Sequence, residues 1–410
     1  MSLDVTAYRN LTPAVAHQTH LNAASASLAP WPVTETVLEY VRLESERGPH
    51  WTAAAAQPVL EAARVCAAQL LGCETRNIAF GEVATRLWAS GLQAMPIRPG
   101  ARLLMAKSDW GGNQINAMRV AELAGATIEP LPTDPDGRVD VERLAGLIDD
   151  RVAAICLSAV GAAHGIMQPV AEIGGLERPE GCLYFVDGAH AVGQWPVSLA
   201  QWNADIITAP ARKWLRGPRG QAVMAVSDRA LAHLHEPPVL DMAGCPWTRL
   251  NGYDVNEDAT RFETFEHSVA ARAGFGSAIR YALNAGVDNI RAVIRDRLAY
   301  ARQALGQVPG LTIQEGPDTD PAFLTFTLVG FIPRAAAATL ADRGVFIAAI
   351  EPNYARADLV SRGLLAVCRV APHAYSTPQE IDRCAAVLGD LVRQAPKRPA
   401  PVLEPNRNVS

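Results

Sequence analysis

The sequence predicts an α/β protein built on a mostly parallel sheet covered by helices on both faces. Two observations carry this. Short apolar, β-branched runs alternate with amphipathic helical stretches through the first 290 residues, joined by brief Gly-, Asp- or Pro-bearing turns. The residues with chemical potential, Thr85, Trp110, Asp187 and Lys213, all fall just past the carboxyl ends of predicted strands, where open α/β sheets place their ligands.

In chain order, a short lead-in ends in the small-residue stretch from His20 to Ser27, and helical pattern runs from Thr34 to Glu46. Gly48-Pro49 breaks it, and a second helix covers Gln57–Leu71 and stops at Gly72. The strand Asn77–Phe80 leads through Gly81-Glu82-Val83-Ala84-Thr85 into a helix reaching Met95. Free backbone N–H groups and the helix dipole at such a turn favour a phosphate, with the Thr85 hydroxyl in reach. The strand Arg102–Ala106 precedes Trp110, whose flat ring either packs under the next helix, Gln114–Ala124, or offers a stacking surface. The strand Thr127–Leu131, a helix over Val139–Ile148 and the buried strand Ala153–Ser158 follow.

Leu183–Val186 reads as a buried strand ending in Asp187-Gly188-Ala189-His190. That aspartate closes a turn, binds a metal or pairs with the protonated ring nitrogen of pyridoxal phosphate. The strand Asp205–Ala209 runs into Arg212-Lys213-Trp214-Leu215 and then a Gly-Pro-Arg-Gly turn before the strand Ala222–Val226. Lys213 is either part of a basic turn or an amine whose pKa falls through desolvation and the neighbouring Arg212, which is what a Schiff-base lysine needs.

Irregular sequence from Glu236 to Asn256 precedes a helix over Ser268–Ala285 and a long amphipathic helix from Asp288 to Gln307. Strands at Leu311–Glu315, Phe323–Leu328 and Val345–Ile350, a helix over Ala335–Asp342 and a strand over Leu364–Val370 suit a small α/β unit. A loop beginning at Glu351 leads to that last strand, which holds Arg369, and a helix closes the pattern at Thr377–Arg393.

Composition narrows the partners. The 410 residues are 49% hydrophobic and 19% charged, with a formal net charge of −5. That balance gives no reason to expect nucleic acid or an anionic membrane. No apolar run reaches the ~18 residues of a membrane span. MSLDVTAYRN lacks the basic-then-apolar signal pattern, so a cytoplasmic setting is expected. Cys66, Cys73, Cys156, Cys182, Cys245, Cys368 and Cys384 are scattered without paired spacing. They read as free thiols in a reducing compartment, and no metal site is expected.

Tyr184-Phe185-Val186-Asp187-Gly188-Ala189-His190 together with Arg212-Lys213-Trp214-Leu215-Arg216-Gly217-Pro218-Arg219-Gly220 resembles the cofactor core of the class V aminotransferase family. The resemblance covers residues 20 to 393. It implies a fold-type I enzyme with a seven-stranded, mostly parallel sheet in a large domain (20–286). A small C-terminal α/β domain would be formed by 1–19 and 287–394, with a disordered tail over 395–410. It implies pyridoxal 5′-phosphate as cofactor, held by Lys213, with Asp187 on the ring nitrogen and Trp110 on the ring face. Ala84 and Thr85 would form the phosphate turn, Thr208 and Arg212 would contribute to the phosphate, and His190 would reach the phenolic oxygen. Arg369 would grip a substrate carboxylate, with Asn22 close to the substrate, in a homodimer acting on an amino acid.

Four positions depart from the family pattern. Ala162 stands where Asn is usual, Pro210 where desulfurases have Ser, Arg212 where His is commonest, and Phe265-Glu266 where a Gly-Thr pair reaches the partner subunit's phosphate. Residues 351–363, the segment that carries the sulfur-accepting cysteine in desulfurases, contain none. The residues around Trp110, Lys213 and Glu263 are similar to a C–S lyase branch, the hercynylcysteine sulfoxide lyases of ergothioneine biosynthesis. The expected reaction is therefore β-elimination from a cysteine S-conjugate or its sulfoxide, giving a sulfur species, pyruvate and ammonia. The alternatives are an epimerase or aminotransferase of a specialised-metabolite amino acid, and a non-catalytic scaffold.

Overall fold

The computed structural model describes residues 2–394; the tail expected over 395–410 lies outside the described residues. Seven strands form the main sheet: β1 (Ile78–Gly81), β2 (Arg102–Met105), β3 (Thr127–Pro130), β4 (Val152–Ser158), β5 (Leu183–Asp187), β6 (Ile206–Pro210) and β7 (Ala222–Val226). Their spatial order is β1-β7-β6-β5-β4-β2-β3. β7 runs antiparallel to both of its neighbours, and the other four pairings are parallel. Central strands are buried along their whole length, as expected of a sheet covered on both faces.

Alternation along each strand sorts side chains into two layers. Tyr184, Val186, Ile207, Val223 and Ala225 pack towards the helices Pro49–Leu71, Val269–Ala285 and Val287–Leu305. Leu183, Phe185, Ile206, Ala222, Met224 and Val226 pack towards Ala84–Gln93 and Gly111–Ala124, through Leu87, Trp88, Leu92, Ala117 and Val120. From β2 the chain steps outwards to β3 and returns to β4 on the other side of β2. The β2/β4 boundary is therefore the topological switch point, where a crevice opens beyond the strand ends.

Helix ends follow local chemistry. Gly72 takes the left-handed conformation (φ 59°) that stops Pro49–Leu71. That helix starts eight residues before the sequence pattern suggested, because Pro49 is not only a break after Gly48 but also a first-turn proline of the next helix.

A four-stranded antiparallel sheet, ordered Ala348–Ile350, Val367–Val370, Leu324–Leu328, Leu311–Ile313, stands beside the main sheet. The strand expected over Val345–Ile350 is split. Val345–Phe346 pairs in parallel with Thr19–His20, and only Ala348–Ile350 joins the sheet. The N-terminal segment thus docks on this sheet, and a bridge from Asn22 to Ala371 carries it towards Arg369.

The loop expected from Glu351 is instead a helix, Pro352–Ser361, with Ala355 outside helical geometry (φ −157°, ψ 54°). Buried Ala355 and Leu359, and an Asp358–Arg362 ion pair at 2.7 Å, hold it in place. It approaches Gly111 so closely that a Cβ there would stand 2.4 Å from the Asn353 carbonyl oxygen. Among the described residues no helix is long and apolar enough to cross a membrane.

Candidate active site

At the switch point a cavity of about 240 Å³ is walled by Trp110, His190, Lys213 and Arg369, together with Arg212, Arg219, Ser25, Ala162, Tyr354 and the edge strand Ala348–Ile350. Its wall carries three arginines beside Lys213 and no acid. Arg212 and Arg219 also line a second cavity of about 130 Å³ with Glu82, Val83, Ala84 and Gln221, so the two hollows share a pair of guanidinium groups, with one carboxylate, beside the start of the helix Ala84–Gln93. A roomier hollow of about 710 Å³, walled by Arg98, Arg151, Val152 and Cys182, opens at the opposite, amino ends of the strands, away from these groups.

Lys213 follows β6 on a tight turn. The Arg216 N–H donates to the Lys213 carbonyl at 3.1 Å, and the Gly217 N–H to that of Ala211 at 2.8 Å. Arg216 is in the left-handed region (φ 61°), which costs a non-glycine residue on the order of 1 kcal/mol. Its buried guanidinium offsets that strain. It donates to the Leu28 carbonyl and to Thr12 Oγ1, and lies 4.6, 4.9 and 5.5 Å from the rings of Tyr8, Tyr375 and Tyr281. The sequence pattern carried no signal of this role, because the tyrosines and Thr12 are remote in the chain.

Burial lowers the Lys213 amine to about 7; Asp187 opposes that shift, and Arg369 and Arg212 add to it. Its Nζ lies 3.3 Å from His190 Nε2 and 5.9 Å from the centre of the Trp110 ring. The His190 ring is buried, which holds its pKa well below the ordinary histidine value. The Trp214 indole N–H, a donor only, points at His190 Nδ1 at 3.4 Å. Nδ1 therefore accepts, the imidazole proton sits on Nε2, and Nε2–H donates to the lone pair of a neutral Lys213 amine.

Asp187 closes β5. Its Oδ2 accepts from Asn113 Nδ2 and its Oδ1 from the Ala189 N–H, both at 2.9 Å. Burial pushes its pKa up, while Lys213 and these donors pull the other way. Asn113, on the first turn of the helix after Trp110, was missed in the sequence; its link to Asp187 spans 74 residues.

Arg369 is 3% exposed and, among the described residues, has no carboxylate partner. Nη1 donates to the Ala162 carbonyl at 2.9 Å and Nη2 to Ser25 Oγ at 2.8 Å, while Nε is buried without a partner. The group lies 4.9 Å over the Phe323 ring, and burial lowers its pKa to about 9. Ala162 thus meets Arg369 through its backbone oxygen.

Of the other residues singled out from the sequence, Trp110 stacks on Tyr354 (5.6 Å, 21°). Thr208 is buried with its hydroxyl unpartnered. Thr85 and Asn22 are not among the residues walling either cavity. The Asn22 Oδ1 is buried without a partner, and it is Ser25, three residues on, that reaches Arg369. Near 262–266, Glu263 lies at the centre of a buried ion network rather than in the cavity. It accepts from Arg64, Arg272 and the Phe80 N–H at 2.9, 3.3 and 2.8 Å. Among the described residues no cluster of side chains could hold a metal ion.

This arrangement fits a phosphorylated, ring-bearing aldehyde. The cavity couples a neutral amine to an excess of cationic groups, a flat indole, and a carboxylate behind the amine. The Arg369 guanidinium, which walls the cavity, keeps Nε without a hydrogen-bond partner.

Comparison with known proteins agrees with this chemistry. The family model described as aminotransferase class-V matches residues 19–384. A probable hercynylcysteine sulfoxide lyase from Mycobacterium tuberculosis (strain CDC 1551 / Oshkosh) is 28% identical over 90% of this chain and 89% of that protein. A cysteine desulfurase from Salmonella gallinarum (strain 287/91 / NCTC 13346) is 26% identical over 91% of this chain and 93% of its own. Among solved structures, the apo cysteine desulfurase of Thermococcus onnurineus NA1 superposes with a TM-score of 0.88, covering 96% of this chain and 99% of that one at 21% identity.

Proposed function

The chain belongs to the class V aminotransferase family of pyridoxal-phosphate enzymes, and on that premise we propose that it is a β-eliminating C–S lyase acting on a cysteine S-conjugate or its sulfoxide. When bound, the cofactor supplies a carbonyl for the lysine amine and a ring that withdraws electrons from the substrate's α-carbon. Lys213 would carry the cofactor through Nζ, and the same amine is the group placed to take the substrate's α-proton. Asp187 would hold the proton of the ring nitrogen, Trp110 would offer its flat face to the ring, and His190 Nε2–H would donate to the phenolic oxygen. Arg212 and Arg219, with Ala84 at the helix start, would receive the phosphate; Thr85, next to Ala84, and the buried Thr208 hydroxyl would serve it only if the loaded cavity reaches them.

Arg369 would take the substrate carboxylate; its place in the cavity wall without a paired acid is the observation that supports an amino-acid substrate. A buried guanidinium with no acid of its own is a bidentate site awaiting one. The choice of elimination over sulfur transfer is supported by the helix Pro352–Ser361. It fills the place of the desulfurase cysteine loop with Tyr354 and no thiol. The C–S lyase relative adds to this. Expulsion of sulfur from Cβ then releases a sulfur species, and hydrolysis of the three-carbon remainder gives pyruvate and ammonia.

A homodimer is part of the proposal. Trp247, Leu250, Val239 and Met242 expose large apolar surfaces on the irregular stretch before Phe265, itself exposed. The test adds cysteine S-conjugates and their sulfoxides to the cofactor-loaded protein and follows pyruvate. Pyruvate in proportion to the sulfur released is the expected result. Racemisation or amino transfer without pyruvate would replace the lyase reading.

A further inference from the structure

The residue before Trp110 is a second buried acid that the scheme above leaves unused. Asp109 is 2% exposed, and both of its carboxyl oxygens are buried without a hydrogen-bond partner. It is held by its backbone, which donates to the Ala106 carbonyl at 3.2 Å. Ser158, at the end of β4, lies against it and accepts the Trp110 N–H at 3.4 Å. In the register of the sheet Ser158 stands opposite Asp187. The other titratable groups facing Asp109 are Cys156 and Tyr184, both neutral when buried. Asp187 thus stands across Ser158 from the buried Asp109, and Lys213 acts on Asp187.

Burial disfavours charge on Asp109, and the Asp187 carboxyl adds to that. Asp187 has the donors of Asn113 and Ala189 and faces Lys213, so it is the better seat for the charge. Asp109 is approached only by Ser158, whose hydroxyl and backbone pull its pKa down less than burial raises it and leave both oxygens without a well-formed hydrogen bond. We propose that Asp109 is the neutral, proton-holding member of a two-carboxyl pair, a positioning residue that leaves Asp187 as the anion facing the cofactor's ring nitrogen. The proposal rests on the assignment of Asp187 made above. Burial and Asp187 raise the Asp109 carboxyl from 3.8 to about 7. Its unfolded form ionises first, so stability should fall as pH rises from about 4 to about 7 and level off above that.

The test compares the cofactor-loaded full chain with Asp109→Asn and Asp109→Glu. At pH 6 the infrared spectrum of the wild type should show the carbonyl stretch of a buried carboxylic acid. That band should vanish in Asp109→Asn and persist, displaced, in Asp109→Glu. The fall in melting midpoint between pH 4 and pH 7 should flatten in Asp109→Asn, while the cofactor stays bound. A wild-type spectrum without the band, or an unchanged band in Asp109→Asn, would overturn the proposal. Asp187→Asn separates the two readings. If it leaves cofactor affinity unchanged, the role of Asp187 falls, and the infrared band still decides where the proton sits.

Discussion

The Nζ of Lys213 lies 3.3 Å from Nε2 of His190, and the indole N–H of Trp214 occupies the other ring nitrogen. The histidine is thereby fixed in the tautomer that donates to a neutral amine. Three residues within one short stretch of structure prepare the nucleophile, and two of them flank each other in sequence.

This relationship sets a pH dependence. A lysine pKa lowered to about 7 leaves the amine protonated below that value and nucleophilic above it. Covalent capture of pyridoxal phosphate by the cofactor-free protein should therefore accelerate as pH rises through about 7. His190→Leu keeps the burial and removes the donor that favours the neutral amine, so the midpoint should move up by about one unit. Stopped-flow absorbance across pH checks this, and an unchanged or lower midpoint counts against the tautomer argument. Lys213→Ala should yield no borohydride-stable cofactor adduct by mass spectrometry.

Arg369 is paired only with a carbonyl and a hydroxyl, Ala162 O and Ser25 Oγ. Removing the guanidinium deletes the charge partner of a buried carboxylate, worth about 2–5 kcal/mol. Arg369→Ala should raise KM for amino-acid substrates by on the order of 100-fold or more and leave the cofactor bound. Ser25→Ala should raise it only several-fold, since one neutral contact is lost. Steady-state kinetics beside the cofactor's absorption separates the two effects. Loss of cofactor from Arg369→Ala would move this residue to a different role.

Glu263 gathers Arg64, Arg272 and the Phe80 N–H and thereby ties β1 to the helices Pro49–Leu71 and Val269–Ala285. Glu263→Ala leaves two buried guanidinium groups without their carboxylate, a loss of about 3–5 kcal/mol. A clear fall in melting temperature is expected, with near-normal turnover per folded molecule. A stable variant that has lost activity would instead place Glu263 in the chemistry.

What was legible in the sequence was whatever short-range pattern controls. Each strand of the main sheet ended where apolar, β-branched runs gave way to turn residues, so Asp187 and Lys213 stood out as polar groups at strand ends. The helix Pro352–Ser361 was not legible. Its apolar face is narrow, and its place depends on Gly111, some 240 residues earlier, admitting the Asn353 carbonyl. Ser25, Asn113 and Arg216 were missed as site-building residues for the same reason, because their partners are remote in the chain, while Arg219 was read only as part of the Gly-Pro-Arg-Gly turn. The family resemblance pointed to Asn22, whereas the side chain of this segment that meets Arg369 is Ser25, on the turn just after it.

Cys368 provides the sharpest separation from sulfur-transfer enzymes. It neighbours Arg369 in sequence, but alternation along the strand turns its side chain away from the Arg369 face. Its Sγ lies 3.7 Å from the Pro333 carbonyl oxygen at 1% exposure, and burial pushes the thiol up to about 12. A thiol at that value is not a thiolate at neutral pH, so it neither attacks nor accepts sulfur. Cys368→Ala should keep full activity towards cysteine S-conjugates, and brief treatment with iodoacetamide should not inactivate the wild type. Mass spectrometry after turnover should find no persulfide on the protein while pyruvate accumulates. A persulfide on any cysteine, lost together with activity when that cysteine is replaced, would turn the assignment from elimination to desulfuration.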